Sequence, residues 1–143
     1  MNALLRLLPC ALLFTCLTVS QAQVTGKWKT FGEQDGKEKA IIEIYEQDGK
    51  LVGKVVKLLP DAVITKCVKC EGSLKDRPIE GMVILHGLTK TSQGGTDGKI
   101  IDPSSGKTYS CFVELEKSDT LKVRGYIGMP TLGRTQYWQR VKA

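Results

Sequence analysis

The chain has 143 residues, the size of one domain, and its 41% hydrophobic and 25% charged content excludes a disordered tail, a coiled coil, a collagen-like chain and a multi-span membrane protein. Fifteen glycines against five prolines point to many tight turns. The net charge is +6 with Arg6 included, and the other basic residues are scattered from Lys27 to Lys142 with acids interspersed, so the charge reads as a solvated basic surface and not as a nucleic-acid footprint.

The first element is a leader. Met1 to Gln23 carries Arg6 as its only charge, an apolar stretch from Leu7 to Val19, and the small-residue exit Ser20-Gln21-Ala22. That order describes a secretory signal peptide (residues 1–22) cleaved after Ala22, leaving a mature chain, 23–143, that starts at Gln23. The apolar stretch falls short of the ~20 residues needed to cross a hydrocarbon core, so no membrane span is expected. A lipoprotein signal ending at Cys16 is the rival, but Thr15 and Leu17 fit it poorly. The expected location is periplasmic or extracellular.

No stretch of the mature chain holds a 3.6-residue apolar period; short β-branched runs bounded by turns recur instead. Strands are predicted over residues 24–31, 39–47, 50–59, 80–88, 96–101, 107–116, 120–127 and 133–142. Asp48-Gly49 marks a two-residue hairpin turn, Pro60 stops the third strand, and Asp102-Pro103-Ser104-Ser105-Gly106 is a turn by composition. Tyr109, Cys111, Val113 and Leu115 share one face of the sixth strand, with Phe112 the apolar exception opposite. One-sided alternation indicates antiparallel strands. Eight of them in sequence order fit an all-β, up-and-down barrel, with a two-sheet sandwich as the alternative. Residues 60–79 form the one long interruption and contain Cys67 and Cys70.

Two patterns carry a resemblance. Gly26-Lys27-Trp28 near the mature start, with Arg134, Trp138 and Arg140 in the final strand, is similar to lipocalin-like barrels. In those barrels a tryptophan of the first strand packs against an arginine of the last across the floor. More specific is the ordered set that adds Cys67-Val68-Lys69-Cys70, Gly98-Lys99-Ile100-Ile101-Asp102-Pro103, Leu121 to Gly128 and Gly133 to Trp138. It resembles the small exported bacterial proteins of domain-of-unknown-function family 2147 over residues 24–142. One departure is Gly95-Thr96-Asp97, where members tend to carry a tryptophan. The resemblance implies a fold and an exported location, and no reaction.

Candidate chemistry is sparse. Export makes a Cys67–Cys70 disulfide the expected state, with a redox pair as the rival; that chemistry needs a βαβ setting the chain lacks. Cys111 lies on an apolar face and is expected as a buried free thiol. A zinc site of Cys67, Cys70, Cys111 and His86 would need ligands from three distant segments. His86, the only histidine, falls in the row of Met82, Ile84 and Leu88, the position of a core residue. Asp61, Asp76, Glu80, Asp97 and Asp102 are turn carboxylates without a spacing that marks an acid–base pair. Gly26 is expected to leave room for the Trp28 indole, and Arg140, or Arg134 in another register, to stack on it.

These features lead to an envelope protein binding a small apolar or amphipathic ligand in, or at the mouth of, the barrel. The alternatives are a filled barrel that contacts another envelope component, and a hydrolase or isomerase using loop carboxylates. No cofactor, metal or catalytic residue is assigned.

Overall fold

A computed structural model describes residues 22–142. The signal-peptide expectation falls on residues 1–22, which apart from Ala22 lie outside the described residues. The strands are β1 (Gly26–Phe31), β2 (Glu38–Gln47), β3 (Lys50–Leu58), β4 (Val83–Lys90), β5 (Gly94–Asp102), β6 (Lys107–Lys117), β7 (Thr120–Tyr126) and β8 (Gly133–Arg140). They form a closed barrel in sequence order, every neighbouring pair antiparallel, and not the sandwich. Asp48 and Gly49 both take positive φ, 51° and 76°, as a twist-matched hairpin turn demands.

Because the chain only meanders, the connections β1–β2, β3–β4, β5–β6 and β7–β8 all leave from one end, here the mouth. The other three turns and both ends of the described chain lie at the floor. Alternation places Ile42, Ile44, Val55, Cys111, Val113, Leu121, Val123 and Trp138 inside, and all are buried. Glycines make room for their neighbours. A Cβ on Gly53 would stand 2.7 Å from Leu85, and one on Gly98 would stand 2.6 Å from Leu88. Both leucines are fully buried, each worth ~1.5–3 kcal/mol relative to exposure. The lower barrel is therefore a packed core and not a ligand chamber.

Residue 86 departs from expectation: His86 is exposed. Leu51 pairs with Leu88 while Gly53 pairs with Leu85, so β4 carries one extra residue against β3. Gly87 absorbs it with φ 62°, and Asp97 takes φ 57° across the ladder in β5. A bulge inverts the alternation. Leu85 and Leu88 turn inward, and His86 turns out beside Lys99.

The long β3–β4 connection is ordered by a single 3-10 turn at Gly72–Leu74, an isolated bridge between Lys66 and Pro78, and the Cys67–Cys70 disulfide (Cα–Cα 5.3 Å). It rests against the β5–β6 turn, where the Cys67 sulfur lies 3.5 Å from the Pro103 carbonyl. Ile84 and Ile101, on the outward faces of β4 and β5, are buried in the same cluster as Cys67, Cys70, Ile79 and Met82. This connection thus gives the barrel a second apolar layer outside its wall.

Candidate functional site

At the floor, Trp28 is fully buried and its indole N–H donates to the Val24 carbonyl at 2.8 Å. Arg140 lays its guanidinium 4.2 Å from the Trp28 ring centroid. The same guanidinium donates to the carbonyls of Ser118 at 2.9 Å, Thr25 at 3.1 Å and Gln23. Gly26 makes room for the arginine and not for the indole, because its nearest neighbour would be Arg140 Nη1 at 3.0 Å. These contacts tie the first and last described residues and the β6–β7 turn into one knot.

Arg134 is at the other end. Main-chain pairing between β1 and β8 is limited to Trp28–Arg140 and Lys29–Gln139. At the next step, between Thr30 and Phe31, the β1–β2 register shifts, and the two seam strands part. The extra residue at this shift belongs to β2, since Thr30 and Phe31 face Ala40 and Glu38. The result is a solvent-open cleft of about 640 Å³ lined by Phe31, Glu33, Arg134, Gln136 and Tyr137. Glu33 spans it, accepting from Arg134 Nη1 at 3.2 Å and from Gln136 Nε2 at 3.1 Å. Gln136 Oε1 in turn accepts from the indole N–H of buried Trp138 at 3.2 Å. The cleft is polar along its inner wall and has Phe31 and Tyr137 as aromatic surfaces. Arg134 remains largely exposed, so its ion pair contributes at most about 1 kcal/mol and is easily exchanged for another anion.

The remaining candidates do not converge. Cys67 and Cys70 are joined to each other, Cys111 faces the barrel interior, and His86 faces outward, so these four side chains never meet. Burial pushes the Cys111 thiol up to about 12, against a weak opposing pull from Lys99. Cys111 should therefore resist iodoacetamide at mildly alkaline pH in the native protein and react only after unfolding. Rapid native alkylation, followed by mass, would place it at the surface.

Three of the five candidate carboxylates, Asp61, Glu80 and Asp102, are engaged locally. Asp61 lies 3.6 Å from Lys37 Nζ, and Glu80 accepts from the Leu58 N–H at 3.0 Å. Half-burial raises the Asp102 carboxyl, but bonds from Ser104 and Ser105 outweigh it and hold the group below its ordinary value. Asp76 and Asp97 take left-handed backbone, φ 60° and 57°, the latter within β5.

The closed eight-stranded up-and-down barrel is a lipocalin-like fold. Its structure is similar to that of HP1028 from Helicobacter pylori, described as belonging to the lipocalin family, with a TM-score of 0.75, 22% identity and 85% of each chain covered. The chain itself belongs to the family DUF2147, described as an uncharacterized protein conserved in bacteria, whose model matches residues 26–140. No curated protein matches it.

Proposed function

We propose that the protein is an exported envelope protein that holds a small amphipathic molecule in the cleft where β1 and β8 part, not inside the barrel. The observation that carries this reading is the loss of β1–β8 pairing beyond Lys29–Gln139, which opens the cleft. Its volume of about 640 Å³ lies within the ~300–1,000 Å³ of small-molecule sites. A polar headgroup would displace Glu33 from Arg134 and Gln136, while an apolar body would lie on Phe31 and Tyr137. The Cys67–Cys70 disulfide supports export, since such bonds persist in oxidising compartments. The test is native mass spectrometry of protein purified from its own envelope. A co-purifying small molecule, lost in Arg134→Ala and in Tyr137→Ala, is the expected result. Protein that emerges empty, and stays empty after incubation with envelope extract, overturns the reading. The packed interior favours as the second reading an accessory module with a filled barrel, and a co-purifying protein in place of a small molecule would establish it.

A further inference from the structure

We infer that the cleft takes a short extended peptide, which adds as a strand to the free edge of β8. The inference rests on the cleft being the ligand site and names the chemical class of that ligand.

The alternation of β8 decides which main-chain groups reach the cleft. From Gly133 to Gln139 every residue has its own partner on β7, with no shift of register. Arg140 N–H donates toward the β7 side, to the Asp119 carbonyl at 2.7 Å. Val141 N–H donates toward β1, to the Lys27 carbonyl at 2.9 Å. Even-numbered residues of β8 therefore turn N–H and C=O to β7, and odd-numbered residues turn theirs to β1. Gln139 meets Lys29 there, but Tyr137 and Thr135, next along the edge, have no partner on β1. Among the described residues, no loop main chain bonds either of them. Two N–H donors and two carbonyl acceptors thus face the cleft at the two-residue repeat of an antiparallel ladder.

An extended peptide carries the complementary groups at the same repeat. An acyl chain laid on this edge would strip water from four main-chain groups and return no hydrogen bond. The free edge is also short and flanked, which guards against edge-to-edge pairing of two barrels. Glu33 reaches over it from the β1–β2 connection to Arg134 and Gln136, so a slim peptide fits where a second barrel does not.

Glu33 marks where a carboxylate is held. A peptide antiparallel to β8 ends beside Arg134, so its terminal carboxylate can take the Arg134 Nη1 and Gln136 Nε2 bonds in exchange for Glu33. That exchange trades one ion pair for another. The main chain supplies the attraction, and the carboxylate fixes the direction. A residue opposite Tyr137 lays its side chain beside that ring, where an apolar one is favoured.

The test is amide NMR of residues 23–143, which hold all eight strands and the buried core. The probes are acetylated tetrapeptides Xaa-Thr-Val-Ala with Val, Leu, Phe or Thr first, and decanoate as an amphiphile without peptide groups. The expected result is saturable movement of the Thr135 and Tyr137 amide signals by at least one peptide, with half-saturation below ~1 mM. Replacing the amide N–H of its first or third residue by an ester oxygen should weaken binding about fivefold, and a carboxamide end should do the same. Arg134→Gln should erase the difference between carboxylate and carboxamide ends while leaving the carboxamide peptide bound as before. The ester peptides need no variant, and the spectrum itself reports whether Arg134→Gln is folded. Equal binding of ester and amide peptides overturns the inference. A dimer in which the Thr135 and Tyr137 amides are protected also overturns it, because a second copy would then occupy the edge. Decanoate moving these signals where no peptide does overturns the peptide and leaves the cleft as the ligand site. Silence from every probe overturns both.

Discussion

Replacing Trp28 with alanine should cost ~3–5 kcal/mol, the range for a fully buried large aromatic. Total stability for a domain of this size is ~5–15 kcal/mol, so the urea midpoint should fall by a large fraction of its value. The loss has three sources: the indole's burial, its N–H bond to the Val24 carbonyl, and the stack beneath Arg140. Arg140→Ala should cost less, since Ser118, Thr25 and Gln23 carbonyls near the surface can turn to water. The double variant should be less damaged than the two losses added, by ~1 kcal/mol, because both substitutions remove the same contact. Strict additivity would mean that the guanidinium and the ring do not interact in solution. An unchanged midpoint for Trp28→Ala would mean that the barrel does not close at this seam.

The strands were legible because the alternation is simple wherever one face is wet. Cys111, Val113 and Leu121 fall inside as their spacing requires, and the paired turn Asp48-Gly49 fixes the β2–β3 register. The failures trace to single backbone residues. Gly87 shifts the phase of β4, so the sequence row Met82, Ile84, His86 and Leu88 splits between two faces. Gly26 was correctly a place where a side chain is missing, but the group it admits is Arg140, which arrives from the far end of the chain.

The cleft could not be read from the sequence, because no local pattern links its members. Glu33 and Arg134 stand 101 residues apart in the chain and meet across the mouth beyond the last β1–β8 pair, Lys29–Gln139. The second apolar layer did leave a signal. Ile84-Leu85 and Ile100-Ile101 are adjacent apolar pairs, and Leu85 pairs directly with Ile100. Consecutive apolar residues in an otherwise alternating strand mean that both faces are covered. Among the described residues, the long cysteine-bearing connection supplies the cover for the outer one.

That covering depends on Gly106, and its substitution is the second large effect expected. Gly106 closes the β5–β6 turn with φ 72°, its N–H donating to the Asp102 carbonyl at 2.8 Å. A Cβ there would lie 2.0 Å from the Lys69 carbonyl oxygen and 2.8 Å from the Cys70 nitrogen. These are backbone atoms of the disulfide loop, held in place by the Cys67–Cys70 bond, so they cannot yield as a side-chain tip can. Gly106→Ala should therefore combine left-handed strain with a steric conflict and cost ~2–4 kcal/mol. Gly36→Ala separates the two causes. Gly36 has a similar φ of 65° but nothing within 4 Å of its Cβ position, so it should lose only ~1 kcal/mol. The readouts are urea midpoints and the rate at which dithiothreitol reduces the disulfide. Both sulfur-bearing residues are buried in the native protein, Cys67 fully, so reduction should be slow. In Gly106→Ala the loop lifts from the turn, uncovers Ile84 and Ile101, and exposes the disulfide, so reduction should accelerate well before global unfolding. Equal losses in the two variants, with unchanged reduction rates, would mean that the loop does not sit against this turn and that the outer layer is buried by other means.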